Sequence, residues 1–88
     1  MKCIRFRLKT KGTVEISRFS VMQVAYKFGV RGFVKRNANK TVLIEAEGDE
    51  EQVSDFLKSF ETRSVTIWAE PEVVLESELK NYTQFDVV

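Results

Sequence analysis

Eighty-eight residues, 43% of them hydrophobic and seven of them phenylalanine, suffice for one folded domain with a single core and are too few for two. With no histidine and one cysteine, Cys3, the chain excludes histidine triads, histidine bases, an internal disulfide framework and zinc-site spacing. The net charge of +1 hides a division: residues 1–40 hold eleven Lys or Arg against Glu15 alone, while residues 41–88 hold twelve Asp or Glu against Lys58, Arg63 and Lys80.

Any catalysis must therefore come from arginine, amides, backbone N–H groups, hydroxyls or carboxylates. Cys3 reads as a small packed strand residue, and a lone cysteine fits a reducing compartment. No apolar run reaches the ~18 residues of a spanning helix. The opening Met1-Lys2-Cys3-Ile4-Arg5 lacks the apolar core of a secretory signal. A cytoplasmic protein without a membrane partner is expected.

Residues 3–10 alternate: Ile4, Phe6 and Leu8 point one way, Arg5, Arg7 and Lys9 the other, as in a half-buried strand. Lys11-Gly12-Thr13 breaks that pattern with a turn. The spacing predicts a first helix over Arg18–Phe28, with Ser17 as N-cap and a stripe of Val21, Met22, Ala25 and Phe28. Gly29 stands where a left-handed residue ends a helix. Strands follow at Val30–Arg36 and Thr41–Glu47, joined as a hairpin through Asn37-Ala38-Asn39-Lys40.

Asp49 and Gln52 form a capping-box pair for a second helix, whose buried face is Val53, Phe56, Leu57 and Phe60. A strand is expected at Ser64–Ala69, interrupted by Pro71 or marked by it as an edge, with Val73–Leu75 resuming it. Phe85-Asp86-Val87-Val88 alternates enough for a short last strand. Residues 1–88 thus predict one α+β domain, a two-layer sandwich of ferredoxin-like βαββαβ order with a short terminal fifth strand.

Two runs carry a more specific signal. Arg18-x6-Ala25-x3-Gly29-Val30-x-Gly32-Phe33-Val34 is followed by Lys40-Thr41-Val42-x-Ile44-x-Ala46-x-Gly48. This pattern, spanning roughly residues 4–60, resembles the acylphosphatase family, which hydrolyses carboxyl-phosphate bonds without metal or organic cofactor. The resemblance implies the same ferredoxin-like architecture. In the family a loop of the form Gly-x-Val-Gln-Gly-Val-x-Phe-Arg surrounds a phosphate with inward N–H groups, and its arginine opens the first helix. An asparagine at the strand hairpin orients the attacking water.

By that resemblance the backbone of Gly12, Thr13, Val14, Glu15, Ile16 and Ser17 and the guanidinium of Arg18 are the phosphate-binding residues. The bound partner is a small acyl phosphate or another anion. Aligned from Gly12, this loop is two residues shorter than the family form and lacks its internal glycines. The family asparagine falls on Arg36, with Asn37 next along, so Asn37 or Arg36 takes the water-orienting role. Non-glycine residues resist the positive φ of such a nest, and Arg36 offers only donors. Two readings stand: an acylphosphatase with a degenerate site, or an inactive module of the same fold that binds a small anion or a protein.

Nucleic acid is not expected as a partner. The open sheet face should carry Arg5, Arg7 and Lys9 beside Leu43, Glu45 and Glu47, whose carboxylates can neutralise the arginines. It lacks aromatics for bases to stack upon, Trp68 being the one candidate nearby. Self-pairing through Val73–Leu75 or Val87-Val88 is open, and nothing fixes an oligomeric state.

Overall fold

In β1 (Lys2–Lys9) the expected alternation appears as built: Ile4, Phe6 and Leu8 are buried, while Arg5, Arg7 and Lys9 are exposed. The protein is represented by a computed structural model, which describes residues 1–9, 17–37, 41–62 and 71–88. After β1 come α1 (Arg18–Phe28), β2 (Arg31–Arg36), β3 (Thr41–Gly48), α2 (Glu50–Thr62), β4 (Pro71–Ser77) and β5 (Phe85–Val87).

The five strands form one sheet in the order β4-β1-β3-β2-β5. β1 runs antiparallel to β3 and β4, β3 is antiparallel to β2, and the short β5 lies parallel to β2. Both helices bury their apolar stripes on one face of this sheet. The architecture is the α+β sandwich that the element order demands, with the fifth strand added at the edge.

Each helix begins as its sequence dictates. Ser17 is extended, and its hydroxyl accepts from the N–H of Ser20 at 3.3 Å. Gly29 closes α1 at φ 73°, a left-handed value that glycine adopts without steric cost. At α2 the Gln52 side chain accepts from the N–H of Asp49 at 2.9 Å, the returning half of a capping box. The α1 stripe differs from expectation in one respect. Val24 is buried with Val21 and Ala25, whereas Met22 and Phe28 are only partly covered. Met22 and Phe28 still pack against the core, so the expected stripe holds with Val24 added to it.

Four phenylalanines knit the two layers. Phe56 lies 5.0 Å from Phe60, 6.1 Å from Phe6 and 6.2 Å from Phe85 between ring centroids, in edge-on arrangements. All four are essentially excluded from solvent, and burying each contributes roughly 1.5–3 kcal/mol. β4 is an edge strand that pairs with β1 alone, and Pro71 opens it, a place where sheets tolerate a residue without an N–H. Val73–Leu75 falls within it. The strand expected at Ser64–Ala69 lies outside the described residues, as do Ala38, Asn39 and Lys40 of the hairpin turn. The N–H of Asn37 donates to the oxygen of Thr41 at 2.8 Å and closes that turn.

Candidate anion site

Three registers fix one end of the sheet. Lys9 faces Thr41 across β1–β3, Arg36 faces Val42 across β2–β3, and Val34 faces Val87 across β2–β5. The C-terminal ends of β1, β2 and β5 therefore lie together. β1 is joined to α1 by the connection from Lys9 to Ser17. Residues Gly12, Thr13, Val14, Glu15 and Ile16 belong to it and lie outside the described residues.

Arg18, the first residue of α1, is only partly exposed. Its Nη1 donates to the main-chain oxygen of Val88 at 2.6 Å. That oxygen is held in place by β5: Gly32 N–H donates to Gln84 O at 3.0 Å, and Val88 N–H donates to Val34 O at 2.9 Å. The hydroxyl of Tyr26, two turns along α1, also reaches the oxygen of Phe85, at 3.4 Å. One guanidinium N–H is thus committed to the protein, and a guanidinium has five. Among the described residues no further hydrogen bond of this guanidinium is seen.

The surroundings favour negative charge. The N–H groups of Arg18 and Phe19 precede the intrahelical ladder, and the positive end of the helix dipole lies there. No acidic residue occupies the first turn of α1. The Ser17 hydroxyl accepts the cap bond from Ser20 and keeps its own O–H as a donor.

Arg36 and Asn37 occupy the end of β2. Gly32 and Val34 are buried on the helix side of the sheet, and strand alternation puts Arg36 on that side two residues later. It is the face on which α1 lies. Asn37 follows with the opposite parity, is exposed, and commits its N–H to Thr41. Ser17, Arg18, Arg36 and Asn37 are accordingly gathered at one end of the molecule, with Arg18 and Arg36 on a common face.

A second constellation lies on the other face of the sheet, where no helix packs among the described residues. The segment after β4 crosses that face before joining β5. Beneath it Glu45 and Glu47 are both 0% exposed. Glu47 accepts from three successive backbone N–H groups, Lys80 at 2.6 Å, Asn81 at 3.2 Å and Tyr82 at 2.9 Å. Glu45 binds the Arg5 guanidinium at 2.7 and 3.1 Å, the Tyr82 hydroxyl at 3.1 Å, the Lys80 ammonium and the Cys3 thiol. Burial alone would raise both carboxyls. These donors outweigh it and hold both below the ordinary carboxylate range. Burial, and then the Glu45 charge, push the Cys3 thiol up to about 11, and burial with the bond to Glu45 pushes Tyr82 up to about 12.

Sequence reading anticipated the Arg5–Glu45 pairing and not the cover over it. Residues 78–84 have neither helical nor strand periodicity, so nothing in them announces a segment docked on a sheet. The signal that was present is the pair Glu45 and Glu47 at alternate positions in a strand otherwise rich in apolar residues. Phe33 and Tyr82 also meet on this face, edge-on at 6.2 Å, where the sequence had offered Trp68 as the one aromatic candidate.

A model of the acylphosphatase family matches residues 7–87. A comparison with curated protein sequences gives no match. Among solved structures, the acylphosphatase from Bacillus subtilis superposes with a TM-score of 0.80 at 23% identity, covering 100% of this chain and 99% of that one. An acylphosphatase from Coxiella burnetii gives 0.75 at 22% identity, covering 99% and 92%. At such identities the likeness is one of fold. Full-length HypF, in a phosphate- and nucleotide-bound form, gives 0.75 at 26% identity; the match covers 100% of this chain and 12% of HypF.

Proposed function

The chain belongs to the acylphosphatase family, and on that premise we propose that the basic end of its sheet binds an acyl phosphate and hydrolyses the carboxyl–phosphate bond. Water attacks phosphorus, the phosphorus–oxygen bond to the acyl group breaks, and the products are a carboxylate and inorganic phosphate. A carboxylate is a good leaving group and needs no proton from the enzyme, so a chain without histidine suffices.

Catalysis then reduces to holding and orienting. The Arg18 guanidinium takes two phosphoryl oxygens, and the first-turn N–H groups of α1 with the backbone of Gly12–Ser17 meet the others. Asn37 accepts a hydrogen bond from the attacking water through its amide oxygen, or Arg36 holds that water through its lone pair. The observation that carries the reading is the Arg18–Val88 bond of 2.6 Å, which fixes a guanidinium at a helix N-terminus instead of leaving it in bulk solvent.

The test is hydrolysis of benzoyl phosphate by the wild type and Arg18→Ala, with a phosphate titration followed by amide shifts. Turnover that falls ~10²–10³-fold in the variant supports the enzyme. A second reading is favoured by the arginine at position 36 and the short loop: an inactive module that retains the anion site. It predicts no turnover at high protein concentration but phosphate-dependent shifts around residues 17–19. No response in either assay removes both readings. A cytoplasmic setting fits the unpaired thiol of Cys3, and no helix among the described residues is long and apolar enough to cross a membrane.

A further inference from the structure

The carboxylate of Glu47 stands on the far side of the sheet from Arg18, yet an unbroken series of bonds joins them. Glu47 gathers the N–H groups of Lys80, Asn81 and Tyr82. Such a convergence needs an unusual backbone, and Asn81 supplies it at φ 57°, the one non-glycine residue with positive φ among those described. Three residues beyond Asn81, Gln84 O receives Gly32 N–H, and β5 begins. β5 has three residues and one neighbour, so its ladder alone fixes its position weakly. Directly after it comes Val88, whose oxygen receives Arg18.

We propose that Glu47 is a positioning residue for Arg18, setting the place of β5 through the backbone of residues 80–82 and, through Val88, the aim of the guanidinium. This rests on the reading of Arg18 as the phosphate ligand. Glu45 supports the same segment through side chains, holding Lys80 and Tyr82 from the adjacent row of the sheet. Phe85 plugs the core independently at 1% exposure, so loss of the Glu47 contacts loosens the approach to β5 without undocking the strand. A carboxylate that served stability alone would affect how much protein is folded. A positioning carboxylate also affects how well the folded protein binds.

Four proteins decide the matter: wild type, Glu47→Gln, Arg18→Ala and the double variant, each ¹⁵N-labelled. The measurements are amide exchange at residues 80–82, the Arg18 Nε–H signal, and inorganic phosphate affinity at full folding. Glu47→Gln is expected to speed exchange at 80–82 and move the Arg18 signal toward that of free arginine. It should also weaken phosphate binding about 3–10-fold, with no further loss when Arg18 is already alanine. Accelerated exchange with an unmoved Arg18 signal and unchanged affinity overturns the proposal. If Arg18→Ala binds phosphate as well as the wild type, the phosphate reading fails, and the Arg18 signal still decides the role of Glu47. Should Glu47→Gln not fold, Glu47→Asp keeps the charge, shortens the reach and is read in the same way.

Discussion

The main-chain oxygen of Glu45 lies 1.9 Å from the place where a Cβ on Gly32 would stand. Gly32 also sits at φ 145°, a region that side chains rarely enter. Neither neighbour can retreat, because β2 and β3 are paired at this point, Gly32 facing Ala46. Gly32→Ala should destabilise the fold by about 3 kcal/mol or more. Urea unfolding at neutral pH measures it, and a loss under 1 kcal/mol would mean the strands part more easily than their register implies.

By the family resemblance of the sequence, Arg36 falls where an asparagine is expected. On the proposed mechanism Arg36→Asn returns an amide oxygen to the water site and should raise benzoyl phosphate turnover by about 10-fold or more, with little change in KM. A fall in turnover with a higher KM would show instead that Arg36 grips the phosphate. Kinetics of Asn37→Ala beside it assigns the water-orienting role between the two.

Acid should loosen the cover over the sheet. The folded carboxyls of Glu45 and Glu47 lie below their ordinary values, so the unfolded chain holds those protons more tightly. Their contribution to stability is complete above the ordinary carboxylate pKa of about 4.3 and is lost as pH falls through the folded values beneath it. Cys3 and Arg31 flank Glu47 in register, and Lys80 and Tyr82 face it from above. Of these only the two arginine and lysine cations are charged in acid, and they stay charged. Urea midpoints from pH 7 to pH 3 should drop steeply at the acid end for the wild type. Glu47→Gln should start lower and lose less.

Cys3 should resist alkylation. With its thiol raised from an ordinary 9.0 to about 11, it carries about 100-fold less thiolate at pH 8, and 1% exposure hinders attack further. Iodoacetamide should label it slowly in the native protein and quickly in urea. The same shift makes stability fall as pH climbs from the ordinary thiol value toward 11. Fast native labelling would mean that β1 opens at its Cys3 end.

Much of this fold was written in local pattern. Ile4, Phe6 and Leu8 alternate with cations because one side of a strand meets a core. Val53, Phe56 and Phe60 recur at helical spacing behind an Asp49–Gln52 cap. Gly29 and Gly32 mark the two backbones that need them. Buried charge was not legible in the same way. Glu45 and Glu47 look like surface residues until a distant segment with no period of its own, Lys80 to Tyr82, supplies their donors. The tie between Arg18 and Val88 is likewise a product of β5 joining β2, and pairing across such separations leaves no local trace.

The sheet order has a kinetic side. β1 leaves the ribosome first but occupies an interior place, flanked by β3 and β4, and β4 ends only at Ser77. Its hydrogen-bonding edges must wait for partners made much later in synthesis. Contacts between such distant parts of a chain are slow to form. A nascent copy therefore holds Ile4, Phe6 and Leu8 without their final shelter until β4 has been made, a period in which chaperones, not native neighbours, must keep it from clumping.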